Sequence, residues 1–277
     1  MNGASPSAAR SSGMKHSVAV EGRVAWIHVA PIKALAIDPR REAYIGPRGV
    51  EDDRRFCIVD GTNKMINAKR IPSLVVIRPE LEGDRLTLHI PGSARVAGAM
   101  SLGEPLTITI FSRSAEARPV DGPFSDALSA VAGKPLRLVR LEHEGDGVDR
   151  SGFGGAASML SEASLKEIAA AGGRDEPVDP RRFRMLIGIT GVPAHSEDDW
   201  IGQRVNVGQA VLVPKGNVGR CAVTTVEPTT GISDFDTLAA IAKYRGEKAT
   251  TERLPFGVWA RVAKPGLVRI GDPVVPA

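Results

Sequence analysis

From Val18 onward the apolar residues come in short runs, and each run is closed by glycine, proline or aspartate. Gly22–Val29, Phe56–Gly61, Leu74–Ile77 and Leu106–Ile110 are examples from the first half, and Val205–Val207, Ala210–Val213, Val258–Val262 and Leu267–Ile270 from the second. A run of this length covers one face of a strand but is too short to hold a helix by packing, so the pattern predicts a long series of strands. Glu82-Gly83-Asp84-Arg85, between Leu81 and Leu86, reads as a hairpin tip. Helical spacing is confined to three places. Phe124, Leu128 and Val131 recur with Ser125 and Asp126 as capping residues. Ser161–Ala170 opens on a capping serine and stops at Gly172-Gly173, and a third helical run spans Phe235 to Tyr244. Glu142 to Gly155 is rich in glycine and aspartate and has no period, which marks a mobile or ligand-covering loop. The expected fold class is α+β, mainly β, with the C-terminal third a small barrel or strongly bent sheet.

With 277 residues, 42% of them hydrophobic, the chain has enough material for two domains. No apolar stretch approaches the ~20 residues that span a bilayer. Met1–Ser17 is rich in serine and alanine and lacks the apolar core of a secretory signal, so it reads as a disordered tail of a cytoplasmic protein. A net charge of +4 suits an anionic small molecule, while 4% aromatic residues leave too few stacking platforms to make nucleic acid the expected partner. The two cysteines, Cys57 and Cys221, neither build a disulfide framework nor form a Cys-x-x-Cys zinc pair.

The segment richest in chemistry is Asn217–Gly231, in which Cys221 directly follows Arg220. An adjacent cation favours the thiolate, which is both a soft metal ligand and a nucleophile; the residue types alone equally allow an inert cysteine. Gly152–Ala157 lets backbone approach a phosphate, or serves as a hinge. Asp52, Asp53, Arg54 and Arg55 read as a salt-bridged corner, and Glu197, Asp198 and Asp199 as a loop cap or a carboxylate acid/base. His28, His143 and His195 lack the clustering of a zinc centre. Trp200 and Trp259 read as barrel packing.

Several segments, in order, resemble motifs of the MOSC family, the domain shared by molybdenum cofactor sulfurases and amidoxime-reducing enzymes. They are Ala30-Pro31-Ile32-Lys33, Gly49–Phe56, Asn67–Leu74, Leu160–Leu165, Arg182-Phe183-Arg184, Glu197–Trp200, Asn217–Gly231, Pro255–Val258 and Gly266–Val274. The resemblance implies an N-terminal β-barrel domain (18–115) and a C-terminal MOSC barrel (116–277) with a cleft between them. It further implies a molybdopterin cofactor in that cleft, with Cys221 as the molybdenum ligand, Gly219 and Arg220 as flanking contacts, and Lys33, Lys69 and Arg184 as anchors of phosphate and pterin. The activity implied is an oxidoreductase that removes oxygen from N-hydroxylated or similar N- or S-oxygenated small molecules. The chain carries no haem, flavin or iron–sulfur motif, so electrons would come from a partner protein. Ala34, Lys69 and Leu186 differ from the cofactor-binding members. They keep open a cofactor-free enzyme using Cys221 as nucleophile or persulfide carrier on an anionic small molecule, and a cofactor carrier.

Overall fold

A computed structural model of the chain describes residues 21–248, 250 and 252–277; the tail expected over Met1–Ser17 lies outside the described residues. Seven strands close a barrel. Ile187–Thr190, Ala157–Ser161, Pro255–Lys264, Ala210–Gly219, Val205–Val207, Pro273–Pro276 and Gly22–Val29 follow one another around it, and the last pairs back onto the first. Closure satisfies the strand edges that an open sheet would expose. Within this ring only Ala157–Ser161 and Ile187–Thr190 run parallel. The connection between them contains a helix, as a parallel crossover requires. The barrel interior is filled by small and branched side chains, among them Ile27, Val29, Met159, Ile187, Leu212 and Val258.

Eight of the other strands build a second body around a separate core. Phe56–Val59, Arg137–Leu141 and Arg113–Asp121 form one sheet, with Leu106–Ile110 and Ser101–Leu102 both pairing with the last of these. Arg78–Glu82, Arg85–His89 and Val96–Ala99 form a three-stranded meander. Its alternation is plain in Arg85–His89, where Leu86 and Leu88 point inward and their neighbours do not. Both sheets share a core with helix α1 (Phe124–Ala132), through Ile58, Leu86, Leu88, Phe124, Leu128 and Leu138. The barrel gathers strands from both ends of the chain: Gly22–Val29, the first described strand, completes it, and Glu42–Ile45, paired with Gly266–Arg269, packs Ala43 and Ile45 into the barrel core. Strand Arg113–Asp121 runs through the division expected at 115/116.

Helix α2 (Glu162–Ala171) buries Leu165, Ile168 and Ala169, spaced one helical turn apart, against the outside of the barrel. The short α3 (Ser196–Asp199) packs on the barrel strands, and α4 (Thr237–Arg245) is capped by Asp236, which accepts the Ala239 N–H at 2.9 Å. None of the described helices is long and apolar enough to cross a membrane.

Local chemistry departs from the sequence pattern in three places. Leu74–Ile77, expected as a strand, belongs to a 3₁₀ helix over Pro72–Val76 that buries Leu74 and Val75. A short apolar run reports burial but not helix or strand, and Pro72 at its start presets the helical φ. Ser161 stands at the α2 N-terminus without capping it, because its hydroxyl lies 2.6 Å from Ser164 Oγ and accepts the His195 N–H at 3.0 Å. Ser125 likewise turns away from the α1 terminus and accepts the Leu138 N–H at 3.1 Å.

Candidate functional site

Where the end of the barrel meets the five-stranded sheet lies a cavity of about 370 Å³, within the usual size of small-ligand sites. Lys33, Lys69, Arg184, Gly219, Arg220 and Cys221, the six residues singled out from the sequence, all line it. So do Arg54, Asp149, Phe183, Met185 and Trp259.

One end of the cavity carries the thiol. Strand Ala210–Gly219 stops at Gly219, where a Cβ would sit 2.9 Å from the Arg253 carbonyl, so the two chains approach more closely than a side chain permits. Arg220 and Cys221 follow at once. The Arg220 guanidinium turns into the protein: Nε donates to the Phe256 carbonyl at 2.8 Å, Nη1 to the Phe183 carbonyl at 2.9 Å, and Nη2 to Met185 Sδ at 2.9 Å. Burial pulls its pKa down to about 9, so it remains a cation at neutral pH. Every nitrogen of that cation is engaged by the chain's own atoms. Cys221 is extended, exposed to the cavity, and fixed by its carbonyl, which accepts the Thr224 N–H at 3.1 Å and the Thr224 hydroxyl at 3.0 Å. Cys57 differs in every respect: it is fully buried, and burial raises its thiol to about 11.

The opposite end is a cluster of cations. Lys33 is set by backbone pairing with Phe56, whose carbonyl accepts its N–H at 2.8 Å. Its ammonium donates to the Gly147 carbonyl at 2.8 Å and to Asp149. Arg54, paired with the buried Asp53, donates through Nη2 to the Arg184 carbonyl at 2.9 Å. Arg184, itself at a left-handed φ of 53° after the turn Pro180–Phe183, donates through Nη1 to the Leu35 carbonyl at 2.8 Å. Its Nη2 is buried and has no hydrogen-bond partner among the described residues. Burial, with Arg54 close by, lowers the Arg184 pKa to about 10. Lys69 is exposed at the rim, and none of the described hydrogen bonds or ion pairs involves it.

Other sequence candidates lie elsewhere. His28 stacks on Trp26 with ring centroids 4.2 Å apart and faces a second cavity of about 610 Å³ on the far side of α2. His195 is buried between Ser164, 3.2 Å from its Nδ1, and Tyr244, 3.1 Å from its Nε2. Glu197 is fully buried and raised by burial to about 7, while Asp198 pairs with Arg245 at 2.6 Å; neither lines the thiol-bearing cavity. Of the run Gly152–Ala157, only Gly155, Ala156 and Ala157 reach it. Trp200 packs in the barrel core as expected of it, but Trp259 is half-buried and forms part of the cavity wall. Arg54 and Asp149 were missed as site residues. Arg54 sits in a charge run that reads as a structural corner, which it also is. Asp149 lies in a loop without period, and no local signal distinguishes it from its acidic neighbours.

Residues 21–131 match the model of the MOSC N-terminal beta barrel domain, and residues 146–275 match that of the MOSC domain. The chain belongs to the MOSC family. This MOSC chain is 29% identical over 283 residues to mitochondrial amidoxime-reducing component 1 of Mus musculus, covering 91% of the chain and 82% of that relative. It is 26% identical over 283 residues to the Xenopus laevis protein of the same name, covering 91% and 81%. It also resembles molybdenum cofactor sulfurase of Drosophila grimshawi, 28% identical over 247 residues, which is 83% of the chain but 31% of that longer protein. A MOSC protein associated with molybdenum-cofactor chemistry is thus what the chain's relatives and domains describe.

Proposed function

We propose that the cavity holds a molybdopterin cofactor with Cys221 as the ligand to molybdenum, and that the protein is an oxidoreductase for N-hydroxylated or other N- or S-oxygenated small molecules. Electrons would come from a partner protein. The observation that carries this reading is the convergence, from separate segments of the chain, of an exposed thiol and the cations Lys33, Lys69 and Arg184 on one cavity. The names of the relatives supply the reaction class.

The residues present fit such a group. A soft thiolate suits molybdenum, and a phosphate needs ammonium or guanidinium donors. Arg184 offers a buried nitrogen with no protein partner, and Lys69 an unengaged ammonium at the rim. A single thiolate does not hold a metal alone, so a metal at Cys221 must bring its other donors with it, as an organic cofactor does. Bound there, the cofactor supplies a redox-active metal. The chain's own contributions are to orient and to neutralise. Arg220 fixes the turn that presents Cys221, Lys33 and Arg184 balance the phosphate, and Phe183 and Trp259 wall the site against water.

The test is elemental analysis, with release of the pterin and its fluorescence, on protein from a host that makes the cofactor. Near-stoichiometric molybdenum is expected in the wild type and none in Cys221→Ala, with thermal stability unchanged when both are made in a host that lacks the cofactor. An empty wild type would overturn the reading, and metal retained by Cys221→Ala would remove Cys221 as ligand.

A further inference from the structure

The cation end of the cavity already contains an anion belonging to the chain. Lys33, with a side chain only 8% exposed, has nowhere else to turn: its ammonium is committed to the Gly147 carbonyl and to the Asp149 carboxylate. Asp149 is the opposite case. Its side chain is 62% exposed, so it reaches into the cavity and can leave Lys33 for water by rotating its own side chain. The backbone around it need not move. Arg113 holds the Val148 carbonyl at 3.1 Å, Arg48 pairs with Asp146 at 2.8 Å, and Arg150 pairs with Glu252. Desolvation alone would raise the Asp149 carboxyl, but Lys33, Arg54 and Arg184 bring it down to about 2, so it stays charged across the physiological range.

We infer that Asp149 is an internal competitor at this site: its carboxylate occupies the seat on Lys33 that a ligand's oxyanion takes, so an oxyanion binds only by displacing it, and a doubly charged one does so at a lower concentration than a singly charged one. The inference rests on the reading of the cavity as an anion site. A tethered carboxylate competes at an effective concentration on the order of millimolar or higher, and a free monoanion replaces it with no gain in charge. A dianion gains a second Coulombic interaction with Lys33, Arg54 and Arg184, which lie together in a partly desolvated pocket. Asp149 therefore sets the affinity that any anion must exceed, and the three cations make a phosphate-type dianion the ligand that exceeds it.

The test is titration calorimetry of the full chain, made in a host that lacks the cofactor, with inorganic phosphate at pH 8 and with acetate. Wild type is expected to bind phosphate about 100-fold more tightly than acetate. Asp149→Asn is expected to bind phosphate and acetate each about tenfold more tightly than wild type, because removing a competitor frees the same seat for both. Asp149→Ser repeats the measurement with a smaller side chain. If Asp149 only ties down its loop, both variants bind phosphate and acetate no better than wild type, and the inference is overturned while the anion site stands. If no variant and no wild type binds phosphate, the anion reading of the cavity itself falls.

Discussion

The two ends of the cavity each present a buried arginine, and the arginines are used differently. At the thiol end, every nitrogen of Arg220 is engaged by carbonyls or by Met185 sulfur, so its charge serves to hold the turn that carries Cys221. At the cation end, Arg184 gives one nitrogen to Leu35 and keeps another unpartnered, beside a lysine whose carboxylate partner stands in the open. Burial and charge are common to both ends. What separates a fastener from a ligand contact is the donor left over after the chain has bonded itself, because an unmatched buried donor costs free energy that only a ligand returns.

The largest expected effect tests whether the thiol end has a function beyond structure. Cys221→Ala should abolish molybdenum retention while leaving the urea midpoint of the cofactor-free protein within error, since an exposed thiol contributes little to packing. Next comes Arg220→Met. It leaves the Phe183 and Phe256 carbonyls without their donor and should destabilise the protein by about 2–4 kcal/mol, measured by urea unfolding. Arg184→Met should do the reverse. Phosphate affinity should fall about tenfold by calorimetry, while stability changes by no more than about 1 kcal/mol, because replacing an incompletely paired buried charge by an apolar side chain is close to neutral. Equal stability losses at the two arginines would erase the distinction between the ends.

The smallest effect sharpens it through pH. Burial pushes His28 and His195, both outside the cavity, from 6.5 down to about 4. Unfolding restores their ordinary basicity, so between those values the unfolded chain binds more protons; stability is complete above about 6.5 and falls as the pH drops towards 4. Glu197, raised by burial from 4.5 to about 7, has the opposite sign, because there the folded chain holds the extra proton. Two histidines against one carboxyl should leave a net loss of about 1–2 kcal/mol between pH 7 and 5 by urea unfolding. Arg184 and Arg220, at about 10 and about 9, keep their charge over that interval. Binding of sulfate, which stays doubly charged over that interval, should therefore persist where the fold has weakened, and a parallel loss of both would tie the histidines to the site.

Much of this was legible along the chain. The strands from Gly22–Val29 to Gly266–Arg269 follow the short apolar runs, and helix α2 ends where its glycines say it should. Lys33, Lys69, Arg184 and Cys221 were marked by motif resemblance and do meet at one cavity. Less was legible where one residue has two duties. Arg54 supports a corner and lines the cavity, and Trp259, carried on the barrel strand Pro255–Lys264, walls the site. Sequence pattern records the packing duty, because burial imposes a period, but a cavity wall imposes none.

The sequence by itself determined which stretches are buried, most of the strands and the longer helices, and which residue types are available for soft-metal and anion chemistry. Tertiary structure alone decided how the elements close. Strand Gly22–Val29 completes a barrel with Ile187–Thr190 and Pro273–Pro276, Arg184 reaches Leu35 across 149 positions, and Asp149 reaches Lys33 across 116. The reason is physical: local periodicity states that a face must be covered and a charge must be paired, while the partner that covers or pairs it is chosen by the three-dimensional packing of distant segments.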